Sequence, residues 1–271
     1  MMTEIFKRVS ESDRISDNIK YYWGYMYGLG NEVVVPYLKE NGFYSRGNTV
    51  AEIGSAEGGV LAAFVEAGAT DPLGTDIVQE RLDSGNLINE IAGINIEFSN
   101  HNILGDSIPE EWKEKYDLVI LRDVIEHLDD TDQSLGAIRR IIKPGGYLFV
   151  TFPPYYSPFG AHQHTLNNFW GKLPFIHWLP DAIFRQFIKS GRKPDIEEVE
   201  SLMKIKLSIN KFLYAAENNN YSIAMKDFYI LRPVYKMKFG LPTLRLPFFL
   251  NLPHINNLFT LEASYVLRKE K

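Results

Sequence analysis

The chain has 271 residues, 45% of them apolar, 23% charged and 13% aromatic. That is enough apolar side chain to bury a core, and it excludes disorder as a description of the whole. The absence of cysteine excludes a disulfide scaffold, a thiolate metal site and a cysteine nucleophile. Net charge is −5, but residues 1–150 hold 13 basic and 25 acidic side chains while residues 151–271 hold 16 and 9. The overall balance gives no nucleic-acid footprint. The basic second part suits an anionic partner, such as a phospholipid surface or an acidic substrate. No apolar run reaches the roughly 18 residues of a membrane span, and the opening is polar, so a cytoplasmic protein is expected, free or in peripheral contact with a membrane.

A helix is predicted with Asp17 as its cap, Ile19, Tyr22, Trp23, Met26 and Leu29 at helical spacing and Gly28 and Gly30 punctuating it, followed by a shorter one around Val33 to Lys39. From residue 49 strand-length and helical patterns alternate. Strands are predicted over Thr49–Ile53, Pro72–Asp76, Ile94–Ser99, Tyr116–Leu121 and Tyr147–Phe152. Helices are predicted over Gly59–Ala67 and Val78–Ile91, and around Leu135, Ile138, Ile141 and Ile142, ended by Lys143-Pro144-Gly145-Gly146. One long helix follows over Asp195–Ala216, then strands over Tyr221–Leu231 and Leu258–Leu267. Such alternation implies an α/β fold with a doubly wound, Rossmann-like parallel sheet. We read a single domain: N-terminal helices (1–45), a cofactor-binding core (46–152), an acceptor-side lid and helix (153–220) and a terminal strand pair with an inserted loop (221–271).

The first strand runs into Glu52-Ile53-Gly54-Ser55-Ala56-Glu57-Gly58-Gly59. Glycines there permit a tight turn and let a ligand approach the backbone. Asp76 ends the second strand, placed to accept hydrogen bonds from a ribose diol. These features alone also fit a degenerate dinucleotide fingerprint. The fourth strand then gives Tyr116-Asp117-Leu118-Val119-Ile120-Leu121-Arg122-Asp123-Val124-Ile125-Glu126-His127, with Lys143-Pro144-Gly145-Gly146 before the fifth.

In that combination the sequence resembles the class I S-adenosylmethionine-dependent methyltransferases, in particular the small-molecule group that includes the quinone-biosynthesis enzymes. The resemblance covers residues 48–152 well and the terminal strands more loosely. It implies a seven-stranded sheet with the last strand antiparallel, S-adenosylmethionine as cofactor and S-adenosylhomocysteine as product. Carried over residue by residue, it puts Glu52, Gly54, Ser55, Ala56 and Gly58 in the cofactor loop. Asp76 falls on the ribose, Ile77 and Ile103 beside the adenine, Asn102 on the adenine amino group, and Arg122 and Asp123 near the methionine part. Ala56 stands where the family has a glycine, and His101-Asn102 where it has Gly-Asp.

After the fifth strand, Pro153 to His164 combines prolines, aromatics and two histidines on the expected ligand rim. The reading is methyl transfer to a small or lipid-like acceptor, at oxygen, with His162, His164 and His127 as candidate bases in that order. No metal is expected, since His162 and His164 have no obvious third ligand. Two aromatic-rich stretches, 169–188 and 241–259, suit a lid, a core or a bilayer contact. The rival readings are a nicotinamide oxidoreductase, a non-catalytic S-adenosylmethionine-binding protein, and a macromolecule methyltransferase. For amine targets, the last lacks its Asn-Pro-Pro-aromatic signature here.

Overall fold

Val50, Ala51, Leu118, Val119, Ile120 and Leu121 have no exposed surface, as strands covered on both faces require. In the computed structural model, which describes residues 3–270, these runs become β1 (Thr49–Ile53) and β4 (Tyr116–Arg122). With them stand β2 (Thr70–Asp76), β3 (Glu97–Asn100), β5 (Ile142–Phe152), β6 (Tyr221–Leu231), β7 (Leu244–Arg245) and β8 (Glu262–Lys269). The strand order is β3-β2-β1-β4-β5-β8-β6-β7. β1 pairs in parallel with β2 and β4, and β2 with β3, while β6 and β7 are antiparallel.

The direction of β8 follows from two contacts. Its beginning meets the end of β6, where Leu261 N–H donates to Tyr229 O at 2.8 Å. Its end meets the beginning of β5, where Lys269 Nζ donates to Ile142 O at 2.8 Å. β8 therefore runs against both neighbours, as expected for the last strand. The additional eighth strand is only the two-residue β7.

Several boundaries differ from the sequence expectation for local reasons. Ser16, not Asp17, caps α1 (Asp17–Leu29), its Oγ accepting from Ile19 N–H at 3.4 Å. Gly28 and Gly30 do not end the helical path, which continues through a wide turn at Gly30–Val34 into α2 (Val35–Glu40). Gly30 is needed there for packing, because a Cβ would come 2.7 Å from Ala63 Cβ. Lys143-Pro144-Gly145-Gly146 lies inside β5 rather than before it. Lys143 Nζ bonds Asp117 Oδ1 at 2.8 Å, and Gly146 leaves room for Asp117 O.

The expected long helix after residue 195 is two, α3 (Lys193–Ile205) and α4 (Ile209–Asn218). Lys206 takes a left-handed backbone, and Ser208 then caps the second helix. The final strand begins at Glu262, preceded by a short helix, α5 (Ile255–Phe259).

The chain forms two compact units. The first runs to Arg122 and includes Ala137–Phe149 and the chain from Arg268; the second comprises Asp123–Gly136 and Val150–Leu267. Within the second, the segment after β5 has its own core, in which Tyr155, Ala161, Leu166 and Phe184 pack with Val199, Leu202 and Met203. Phe152, Phe212 and Tyr265 form a further ring cluster, with centroids 4.9–6.4 Å apart. Among the described residues no helix is long and apolar enough to cross a membrane.

Candidate active site

In the first unit, the turn after β1 is held from below. Gly54 N–H and Ser55 N–H both donate to Thr75 O, at 2.7 and 2.9 Å. Ala56 N–H donates to Asp76 Oδ2 at 2.9 Å, and the other carboxylate oxygen accepts from Val78 N–H at 2.9 Å. Gly54 and Gly58 sit at φ +72° and +75°, where glycine is favoured. A side chain at Gly58 would also come 2.6 Å from the Phe98 ring. Ala56 itself is left-handed at φ 51°, so it adopts a glycine-like backbone while keeping its methyl group.

Glu52 lies beneath this turn, 3% exposed. Burial pushes its carboxyl up to about 8, partly offset by the Arg122 charge. Arg122, at the end of β4, reaches Met26 Sδ with Nη2 at 3.7 Å. Beside Asp76, Ile77 is 70% exposed, an apolar side chain on an open surface. Asn102 is exposed and Ile103 buried. Asn102 Oδ1 accepts from Leu104 N–H, and its own N–H donates to Asp106. The carboxamide thus shapes its own turn, with a lone pair and its amino group left over.

Asp123 belongs to the second unit and is the left-handed residue after β4, at φ 53°. Both of its oxygens accept from Arg232 Nη2, at 2.7 and 2.8 Å, and Arg232 Nε donates to Glu262 at 2.8 Å. The residue expected near the methionine part of the cofactor is therefore one arm of an ion trio.

The same unit gathers the three candidate bases. The rings of His127 and His162 are 5.2 Å apart and those of His162 and His164 5.8 Å. His162 Nδ1 bonds Glu198 Oε1 at 2.7 Å, while its Nε2 is 4.0 Å from the buried Glu126. Burial, and then the nearby His162, depress the basicity of both His127 and His164, the latter to about 4. The hydrogen bond from His162, working against burial, holds the Glu198 carboxyl below its ordinary value. Glu198 is thus held as a carboxylate against the Nδ1 edge of the His162 ring.

Glu198 lay outside the sequence-based candidates, because it is one acid among several on an amphipathic helix and 36 residues from its partner. A candidate cation grouping is present, but it is not the His162–His164 pair considered from the sequence. Donor atoms of Glu126, His127 and His162 lie within 4.8 Å of one another, a spacing that suits a cation, and His164 is not among them.

A family model described as "Methyltransferase domain" matches residues 27–187. Among curated proteins, the ubiquinone biosynthesis O-methyltransferase of Pseudomonas fluorescens strain Pf0-1 is 30% identical over 105 residues, 39% of this chain and 44% of that protein. The protein of the same description from Bordetella avium is 25% identical over 121 residues, 45% of this chain and 49% of its own length. The chain spans about half the length of these relatives.

Among solved structures, an S-adenosylmethionine-dependent methyltransferase from Mesorhizobium loti superposes with a TM-score of 0.56 at 15% identity, covering 86% of this chain and 96% of that one. The cyclase SpnF superposes at 0.53 with 12% identity, covering 88% and 80%. These structural likenesses show the fold alone, which by itself does not set a reaction. With the strand order, the glycine turn and the family match over more than half its length, the chain belongs to the methyltransferase-domain family, the class I S-adenosylmethionine-dependent methyltransferases.

Proposed function

We propose that this protein transfers the methyl group of S-adenosylmethionine to a hydroxyl of a small or lipid-like acceptor, with His162 as general base. The observation that carries the reading is the Glu198–His162 hydrogen bond of 2.7 Å inside a cluster of imidazoles. A carboxylate that accepts the Nδ1 hydrogen fixes the ring and the tautomer that presents Nε2 as the proton acceptor. His164 and His127, with depressed basicity, keep their neighbourhood free of competing positive charge. The curated relatives named as O-methyltransferases support attack by oxygen.

The loop of the first unit fits an adenosyl group. Each Asp76 oxygen accepts one backbone N–H and keeps lone pairs for a ribose diol. The exposed Ile77 offers an apolar face for a base. Gly54, Ser55, Ala56 and Gly58 supply the close backbone approach, Glu52 and Arg122 support the turn from below, and Asn102 and Ile103 complete the adenine end. The bound cofactor brings a sulfonium-activated methyl group, so the chain's tasks are alignment, exclusion of water and removal of one proton.

Methyl-tritiated S-adenosylmethionine offered with phenols, alcohols and amines tests the reading. Label on oxygen is expected, and label confined to amines would refute O-methylation. Failure to bind S-adenosylhomocysteine would remove the cofactor assignment altogether. Turnover should persist in a strong chelator. A loss restored only by added metal would assign the Glu126–His127–His162 grouping to a cation instead.

Asp76→Ala removes the ribose contact and both backbone bonds. It should weaken S-adenosylhomocysteine binding by about 1.5–3 kcal/mol, the range for hydrogen bonds to a charged group. Calorimetric titration measures this, and unchanged affinity in the folded variant would displace the ribose from Asp76.

Glu198→Gln tests the carboxylate on His162. It removes the group that holds the imidazole through Nδ1, so the methyl-transfer rate should drop about tenfold or more while S-adenosylhomocysteine affinity stays intact. An unchanged rate in the folded Glu198→Gln variant would make that residue merely structural.

A further inference from the structure

The second unit contains a cavity of about 590 Å³ that none of the candidate catalytic histidines lines, a size typical of small-molecule sites. Its apolar walls come from Tyr155 and Tyr156 after β5, from Trp178, Leu179 and Pro180, and from Leu258. The apolar lining continues to the outside, for Trp178 is 49% exposed, Tyr156 40% and Leu179 37%. Large apolar side chains are seldom left in contact with water together without a use.

Two of the lining residues hold a strained backbone without being glycine. Lys206 sits at φ 46°, and His254 at φ 67° with ψ −37°. Strain of this kind concentrates where a ligand is clamped.

The polar groups indicate the charge of the occupant. Lys206 and Asp181 both line the cavity and face each other at 3.5 Å, with side chains 39% and 57% exposed. A pair so open to solvent is weakly held, and another carboxylate can replace Asp181 on the ammonium group. The half of the chain that builds the cavity carries 16 basic and 9 acidic side chains, a balance that favours an anion. His177, also in the lining, is kept neutral by burial and gives its Nε2 hydrogen to Tyr155 O at 2.7 Å. It therefore adds no charge. One cation stands among aromatic and aliphatic walls.

We infer that this cavity is a binding site for a single-chain anionic amphiphile, a long-chain carboxylate whose hydrocarbon lies among Tyr155, Trp178 and Leu258 and whose head group pairs with Lys206. The inference is separate from the identity of the methyl acceptor.

Dodecanoate, kept below its micelle-forming concentration, is the probe, and its binding is followed by calorimetry and tryptophan fluorescence on the whole chain. Saturable one-to-one binding is expected, weakened about tenfold by Lys206→Gln and strengthened by Asp181→Asn, which removes the competing carboxylate. Dodecanol should bind alike to all three proteins. Leu258→Trp, which fills the cavity without touching the ion pair, should abolish binding of both probes. No saturable binding by the wild-type protein overturns the inference, as does binding that neither charge substitution changes, the mark of simple adsorption. A parallel titration with S-adenosylhomocysteine reports on the cofactor site, so failure here is distinguishable from failure of the methyltransferase reading.

Discussion

Replacing His162 by glutamine should lower the methyl-transfer rate by about 10²–10⁴ while leaving S-adenosylhomocysteine affinity nearly intact. Three imidazoles are close together, and their environments rank them. His164 is depressed to about 4 by burial and by its neighbour, and His127 is displaced the same way. Both stay neutral at ordinary pH, but groups of such low basicity draw a proton weakly from an alcohol or phenol. His162 has a carboxylate in hydrogen-bond contact, Glu198 at 2.7 Å, which fixes the orientation of its ring for proton removal. His164→Gln and His127→Gln should therefore cost less in rate than His162→Gln. Glutamine keeps a polar group in contact with Glu198, so circular dichroism should show an intact fold. Single-turnover rates of the variants at one fixed pH make the comparison. Full turnover by His162→Gln would move the base elsewhere, and the acid limb of the wild-type profile would then discriminate, since a limb near 4 belongs to the buried imidazoles.

The part of the molecule legible in sequence is the part governed by local rules. Mostly apolar runs such as Tyr116–Leu121 predict buried parallel strands because their side chains suit cover on both faces, and β4 forms there. Gly54 and Gly58 were readable because a positive φ leaves a chemical trace in residue type. Non-local choices left no such trace. Lys206 can serve in any helix, yet tertiary packing holds it left-handed and splits one expected helix into two. Gly30 looked like a helix end, but its small size serves contact with Ala63.

The site divides in the same way. Asp76 was read as a ribose contact from its position at a strand end. Glu198 was not singled out, since its role depends on a histidine 36 residues earlier. Asp123 was read from its strand-end position and the family resemblance, without the distant arginine that bonds both of its oxygens.

Arg232→Met should destabilise the protein by about 3 kcal/mol, because removing one member of a largely buried ion group leaves its partners uncompensated. The guanidinium bridges Asp123, through two contacts of 2.7 and 2.8 Å, and Glu262 at 2.8 Å. Glu262 is only 6% exposed as a residue, so water cannot fully replace the lost donor. Burial opposes the charge on Arg232, but Asp123 and then Glu262 more than compensate and raise its pKa above the ordinary value. Its positive charge, with the stability it brings, is thus fully present through the neutral range and would be lost only in strong alkali. Methionine retains most of the apolar stem, which separates the charge effect from a cavity effect.

Lysine should recover only part of the loss, since an ammonium group cannot reproduce the two-sided geometry of a guanidinium. Chemical denaturation of the wild-type, Arg232→Met and Arg232→Lys proteins gives the three stabilities, and equal stabilities would mean that the trio is a solvated surface arrangement. The same variants address the cofactor role proposed for Asp123. If that carboxylate serves S-adenosylmethionine, releasing it from Arg232 changes S-adenosylhomocysteine affinity in Arg232→Met more than in Arg232→Lys. Equal affinity in all three proteins would leave Asp123 a structural residue, the holder of the left-handed turn after β4.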